Sequence, residues 1–320
     1  MSDVAVIGAG AFGTALAIQA ARAEREVTLW ARDPGAAAAI EQTRVNPRLP
    51  GRRLDGRIRV TAHLPSQAAA ILLAVPMQHL RAVAERLPPS DAPLVVCAKG
   101  VETGTGLLPL EVLAAVRPHA ASAILTGPNF AHEIAAGLPA AATLAGSEQA
   151  VREGVIELLA TASFRLYGND DPIGAQIGGA AKNVIAIAAG AIIGAGLGEN
   201  ARAALITRSL AELRRLTVAL GGRAETVMGL SGLGDLLLTC TGPSSRNFSL
   251  GLALGRGEKL GDILAARDSV TEGVATAPAL LARAGKVDMP ICAAVAALLA
   301  GRTTVAGAMA ALLARPARDE

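Results

Sequence analysis

Six residues near the start of the chain, Gly8-Ala9-Gly10-Ala11-Phe12-Gly13, constrain its fold more than any others. They follow the apolar run Val4-Ala5-Val6-Ile7 and lead into Thr14-Ala15-Leu16-Ala17-Ile18, which has helical spacing. A G-x-G-x-x-G run between strand and helix is the phosphate turn of a dinucleotide-binding βαβ unit. Gly8 permits the tight turn, Gly10 lets a pyrophosphate approach the backbone, and Gly13 lets helix pack on strand. The helix N-terminus then offers N–H groups and a positive dipole end to phosphate. Gly8, Gly10, Ala11, Phe12 and Gly13 are therefore candidate cofactor contacts.

Short apolar runs at 4–7, 27–30, 58–60, 71–75, 94–98, 123–125, 141–144 and 164–167 read as strands. Several are apolar throughout, as expected for strands covered on both faces. Helical patterns lie at 14–23, 78–87, 106–116 and 150–160. This alternation predicts an α/β domain with a doubly wound, mostly parallel Rossmann-type sheet. The turn cluster Asn169-Asp170-Asp171-Pro172 marks a boundary, giving a dinucleotide-binding domain at 1–171. Strand signals then stop. Residues 172–320 should form an all-α substrate domain, rich in Ala, Leu and Gly.

Hydrophobic residues make up 52% of the 320 and aromatic residues only 2%, so the core must be aliphatic. A net charge of +3 suits phosphate-bearing ligands. So few aromatics leave no stacking platform for nucleic acid. Six arginines between Arg44 and Arg59 read as a solvated loop rather than a phosphate site. Cys97, Cys240 and Cys292 form no C-x-x-C pair, consistent with a reduced, cytoplasmic protein. The uncharged helical stretch at 183–198 is shorter than the roughly 20 residues that span a bilayer and reads as a buried helix, so no integral membrane segment is expected. His63, His79, His119 and His132 lack ligand spacing, and no metal site is expected. The sequence contains neither a G-x-x-x-x-G-K-[ST] loop nor a G-x-S-x-G elbow, which argues against P-loop kinases, ATPases and α/β-hydrolases.

Strand ends in such a sheet face the ligand crevice. Lys99 follows the apolar run at 94–98, and Thr126-Gly127-Pro128-Asn129 ends another strand. Lys182 and Asn183 interrupt a helical stretch that is otherwise apolar on every side. Gly178 and Gly179 lie one turn earlier and suggest a bare patch where a ligand could reach the backbone. Burial would move the lysine toward a proton-transfer role. Asp235 adds a carboxylate in an apolar setting. Ser245-Arg246-Asn247 combines a bidentate cation with neutral donors, a set suited to phosphate.

Together these segments resemble the bacterial NAD(P)-dependent sn-glycerol-3-phosphate dehydrogenase family. The similarity rests on residues 8–15 (GAGAFGTA), 29–34 (LWARDP), 98–100 (AKG), 126–133 (TGPNFAHE), 178–188 (GGAAKNVIAIA), 200–208 (NARAALITR), 229–240 (GLSGLGDLLLTC), 244–247 (SSRN) and 272–273 (EG). The resemblance implies hydride transfer between a nicotinamide cofactor and dihydroxyacetone phosphate or sn-glycerol 3-phosphate, serving phospholipid synthesis. It implies Lys182 as general acid/base, with Lys99 and Asp235 beside it as catalytic and substrate-site residues. It further implies Gly127, Asn129, Ser245, Arg246 and Asn247 as substrate contacts, and Lys99, Ala131, Arg246, Val270 and Glu272 as cofactor contacts. Asn129 stands where the family commonly has Ser or Thr, which puts that contact in question. A homodimer is also implied. A β-hydroxyacid or ketopantoate-type reductase is the nearest alternative, and only a phosphorylated substrate needs Arg246. At the end of the second strand, Arg32 offers a partner for a ribose 2′-phosphate, while Asp33 before Pro34 reads as a helix cap. NADPH is therefore expected over NADH, with NADP or NAD as the oxidised form.

Overall fold

Continuous aliphatic runs build the sheet. The computed structural model describes residues 3–267 and 270–316. Strands β1 (Val4–Ile7), β2 (Val27–Trp30), β3 (Ile58–Thr61), β4 (Ala70–Leu73), β5 (Leu94–Val96), β6 (Ser122–Thr126), β7 (Ala140–Ala145) and β8 (Phe164–Asn169) fall where the apolar runs lie. They form one sheet in the order β3-β2-β1-β4-β5-β6-β7-β8. The order in which strands are added reverses between β1 and β4, so the topological switch point lies at the end of β1, beside the glycine turn. All neighbours are parallel except β6 and β7. β1 and β4 are buried along their whole length, which only a doubly covered sheet allows.

Fourteen α-helices are seen among the described residues. Those between strands are α1 (Ala11–Arg22), α2 (Pro34–Thr43), α3 (Leu80–Arg86), α4 (Pro109–Val116), α5 (Ala131–Ala136) and α6 (Gln149–Leu159). Asp33 caps α2 by accepting from the Ala36 N–H at 2.7 Å, with Pro34 opening the helix. After β8 the described residues form helices and no further strand: α7 (Pro172–Gly194), α8 (Gly198–Ala219), α9 (Asp235–Cys240), α10 (Arg246–Gly255), α11 (Leu260–Ala265), α12 (Glu272–Ala284), α13 (Pro290–Leu299) and α14 (Val305–Leu313). In the turn cluster before α7, the Asp171 carboxylate accepts from the Gly174 N–H at 2.9 Å.

The chain divides into two compact units. One joins the residues up to Lys99 with Leu108–Gln176 and contains the sheet. The other joins Gly100–Leu107 with the chain from Ile177 onward. The division falls inside α7 rather than at Asp171. At 23 residues α7 is longer than the uncharged stretch suggested, and by length and composition it is able to cross a bilayer. Its most apolar window is 83% buried inside the molecule, the signature of a core helix.

Within the helical unit, α7 and α10 meet through paired glycines. A methyl on Gly190 or Gly194 would strike the carbonyl of Phe248 or Leu252, and one on Gly251 or Gly255 would strike that of Ile187 or Ala191. Glycines spaced by four on both helices bring the two backbones into direct contact.

Candidate active site

The glycine turn has the geometry its spacing requires. Gly8 holds φ +118°, and a methyl there would meet the Ala74 backbone. A methyl on Gly13 would run into the Gly8 carbonyl, whereas Gly10 faces open space. These are the three separate duties of a phosphate turn, and the cradle fits a dinucleotide. Ala11 and Phe12 occupy the first turn of α1, where helix N–H groups have no intrahelical acceptor. Arg32 is exposed just beyond β2. Ala131 opens α5 in the same unit.

Lys99 links two strand ends. Its Nζ donates to the Gly127 carbonyl at 3.1 Å, joining the segment after β5 to the one after β6. Gly127 holds φ +133° and packs on Ala142, so a side chain there would be both strained and crowded. Asn129 donates from Nδ2 to the Ala141 carbonyl at 3.3 Å. Its buried Oδ1 has no protein partner, an acceptor without a donor. Burial pushes the pKa of the Cys97 thiol, two residues before the lysine, up to about 12, opposed by the nearby Lys99 charge.

In the helical unit, Lys182 and Asp235 form a buried ion pair, with 8% and 0% of the residues exposed. A charge so deeply buried requires a partner, and the Lys182 Nζ donates to Asp235 Oδ1. The Thr239 hydroxyl, one turn on, lies 2.6 Å from the Asp235 carbonyl and 3.4 Å from Oδ1. The glycine patch has a different use from the one its sequence suggests. Gly178 is covered by the Ser231 carbonyl, which belongs to a π-helical turn at Leu230–Gly234 just before α9. Without a methyl at 178 that turn seats on α7 and delivers Asp235 to Lys182.

Asn183 faces another polar cluster. Asn247 Nδ2 donates to Asn183 Oδ1 at 2.9 Å, and Asn247 Oδ1 accepts from the Gly273 N–H at 3.0 Å. Asn247 thus fastens the start of α10 to α7 and to the first turn of α12, where Glu272 lies. Ser245 caps α10 by accepting from the Phe248 N–H at 3.2 Å. Arg246 is exposed at the first position of α10, and Val270 is 50% exposed. Arg267 donates to the Arg246 carbonyl at 2.8 Å and to Ser249 Oγ at 3.1 Å. Burial, and then the Arg246 charge, lower the Arg267 guanidinium from its usual range. Two guanidiniums at one helix N-terminus make an anion-seeking corner. Sequence reasoning singled out Asn183 beside Lys182 without giving it a role, and missed Arg267 and, as a neighbour of the Asp235 carboxylate, Thr239. The spacing of Thr239 from Asp235 by one turn was the available signal for the last.

Comparison with known proteins places the chain in a family. The profile described as NAD-dependent glycerol-3-phosphate dehydrogenase N-terminus matches residues 3–152, and the corresponding C-terminus profile matches 171–310. Glycerol-3-phosphate dehydrogenase [NAD(P)+] of Acidiphilium cryptum is 58% identical over 99% of this chain and 98% of its own. The protein of the same name from Rhodospirillum rubrum is 53% identical, covering 100% of this chain and 94% of its own. The crystal structure of glycerol-3-phosphate dehydrogenase from Coxiella burnetii superposes with a TM-score of 0.93 at 37% identity, covering 98% of both chains.

Proposed function

The chain belongs to the NAD-dependent glycerol-3-phosphate dehydrogenase family, and on that premise we propose how its side chains run the reaction. It is an oxidoreductase that interconverts dihydroxyacetone phosphate and sn-glycerol 3-phosphate with NAD or NADP. When bound, the reduced dinucleotide supplies the hydride that reaches C2 of the ketone. Charge then develops on the C2 oxygen. In this reading the Lys182 ammonium stabilises that oxygen and gives it a proton from Nζ, which solvent restores. Asp235 neutralises and orients the ammonium, and Thr239 donates to the Asp235 backbone carbonyl one turn back, with the carboxylate close by. Lys99 acts as a second cation, contacting substrate and cofactor, and Gly127 and Asn129 line the substrate contact beside it. The substrate phosphate is assigned to Ser245, Arg246 and Asn247. Gly8, Gly10, Ala11, Phe12, Gly13, Arg32, Ala131, Val270 and Glu272 are assigned to the cofactor, with Arg246 and Lys99 shared.

The single observation that carries the reading is the buried Lys182–Asp235 pair. In functional terms residues 1–171 serve the dinucleotide and 172–320 the substrate. NADPH is the preferred reductant, because Asp33 is engaged as a helix cap and Arg32 is exposed beside it. The enzyme works as a cytoplasmic homodimer that supplies glycerol 3-phosphate to phospholipid synthesis; sedimentation of the purified protein tests the dimer.

The test of the reaction is NADPH oxidation with dihydroxyacetone phosphate, run beside unphosphorylated dihydroxyacetone. Phosphate-dependent turnover is expected. Lys182→Ala should lower kcat by about 10²–10⁴, the range for losing a general acid, with little change in cofactor affinity. Turnover near the wild-type rate in that variant overturns the assignment.

A further inference from the structure

The glycines that admit a pyrophosphate also leave the phosphate turn free to misfold locally. Flipping the peptide between Ala9 and Gly10 changes ψ of Ala9 and φ of Gly10, and glycine accepts φ of either sign. Something must hold that peptide in one orientation. Asn46, in the loop between α2 and β3, is buried at 1% exposure. Its Nδ2 donates to the Ala9 carbonyl at 3.0 Å and to Thr14 Oγ1 at 2.6 Å. Thr14 lies on α1 and is itself 1% exposed, so one side-chain amide bridges the turn and the helix that follows it.

The loop is built to present this amide. Asn46 Oδ1 accepts from the Arg48 N–H at 2.9 Å, and the Leu49 N–H donates to the Asn46 carbonyl at 2.9 Å. Leu49 and Leu54 are buried in the core of the sheet unit, and Val45 bridges to Arg53. Arg44 ties the loop base to Glu41 at 2.9 Å and to the Ile58 carbonyl at 2.6 Å. The arginine-rich segment is thus an anchored loop: Arg48, Arg52, Arg53, Arg57 and Arg59 are exposed to solvent as their charge suggests, while Asn46, Leu49 and Leu54 are buried beneath them.

We propose that Asn46 is a positioning residue for the dinucleotide, locking the Ala9–Gly10 peptide in its phosphate-binding orientation. In a trans peptide the C=O and N–H point in opposite directions. Holding the Ala9 carbonyl toward Asn46 therefore turns the Gly10 N–H to the opposite side. The bond to Thr14 Oγ1 fixes the same amide against the first turns of α1, whose N–H groups complete the anion seat. An aspartate of equal size would place an acceptor against a carbonyl and release the lock.

This inference rests on residues 8–13 being the cofactor turn, and its test separates the two. Calorimetric titration with NADPH and with NADH gives Kd for the wild type and for Asn46→Ala, Asn46→Asp and Thr14→Val. Asn46→Ala should bind NADPH about 10- to 100-fold more weakly, the range for leaving a buried acceptor unpaired. KM for dihydroxyacetone phosphate at saturating NADPH should stay within about twofold of wild type. Asn46→Asp should bind as weakly at neutral pH and recover affinity as pH falls, because a protonated carboxyl again supplies a donor. Thr14→Val should lose less than either. Leu49→Ala removes packing from the same loop and should lower the thermal midpoint while leaving NADPH Kd within about twofold. Wild-type affinity in Asn46→Asp, or a loss matched by Leu49→Ala, overturns the positioning role. A wild-type protein that binds neither dinucleotide overturns the cofactor reading instead.

Discussion

Arg246 and Arg267 place two guanidiniums beside the first turn of α10, and after burial the Arg246 charge raises the cost of the Arg267 charge. Like charges gathered at a helix N-terminus are tolerated best when an anion arrives to join them. Arg246→Ala should therefore raise KM for dihydroxyacetone phosphate and narrow its advantage over dihydroxyacetone, a loss of about 2–5 kcal/mol in kcat/KM. The thermal midpoint without ligand should not fall, since repulsion is relieved. Equal losses for both substrates would place the arginine on the cofactor alone. Arg32 bears on the other ligand. Its neighbour Asp33 turns one carboxylate oxygen to the Ala36 N–H as the cap of α2. Measured as kcat/KM, a preference for NADPH should collapse in Arg32→Ala. A variant with unchanged preference, or a wild type that prefers NADH, shows that Arg32 does not read the 2′-phosphate.

At the scale of elements, α8 and α13 are joined by one buried acid. Glu212, 1% exposed, accepts from the Ile291 N–H at 2.6 Å and from the Cys292 N–H at 3.3 Å, capping α13 from outside the helix. Burial raises this carboxyl above its ordinary value, opposed by the two backbone donors and by Arg215. A folded-state pKa above the unfolded one stabilises the fold below the unfolded value, near 4.5, and loses that stability as pH rises through the folded value. Each unit of difference removes about 1.4 kcal/mol. Glu212→Gln keeps one acceptor and cannot ionise. Urea denaturation across pH 4.5–8 should thus find wild type losing stability relative to Glu212→Gln as pH rises. A gap independent of pH would mean that the acid does not titrate differently on folding. Local pattern shows how far such elements can be read in advance. Central strands such as β1 and β4 are legible because strands covered on both faces leave continuous apolar runs, while the edge strands β3 and β8 carry exposed positions between their apolar residues. The helix α5 has only six residues, too few to show a period, and the antiparallel pairing of β6 with β7 leaves no mark on composition. Glu212 sits on the buried face of α8, but its partner lies 79 residues away, beyond any spacing rule. Asn46 is hidden in an arginine-rich run whose charge suggests solvent.

Across the whole molecule, the site residues announced themselves through chemical incongruity, such as a lysine in an apolar helix. Partners without such a signal had to be found in space, as with Arg267, which reaches the Arg246 carbonyl 21 positions away. The same burial that hides partners also silences the thiols. Cys97, Cys240 and Cys292 are all buried and unpaired with one another. Burial pushes Cys97 and Cys240 up to about 12 and Cys292 well above 9.0, where the adjacent Glu212 charge adds to the effect. Thiolate is the species that reacts, so at pH 8 the folded protein should resist a disulfide reagent such as DTNB. Reaction then requires opening, and its rate follows the population of opened molecules. Cys97 reports on the sheet unit, and Cys240 and Cys292 on the helical unit. A ligand that binds only the folded cradle stabilises it by mass action, about 2.7 kcal/mol at one hundred times Kd. Saturating NADPH should accordingly slow the labelling of Cys97, and unfolding in urea should release all three thiols to rapid reaction. Fast, stoichiometric labelling of the native protein would show that these cysteines are not held in the core, and labelling of Cys97 unmoved by NADPH would show that the cradle opens independently of the strand that carries the thiol.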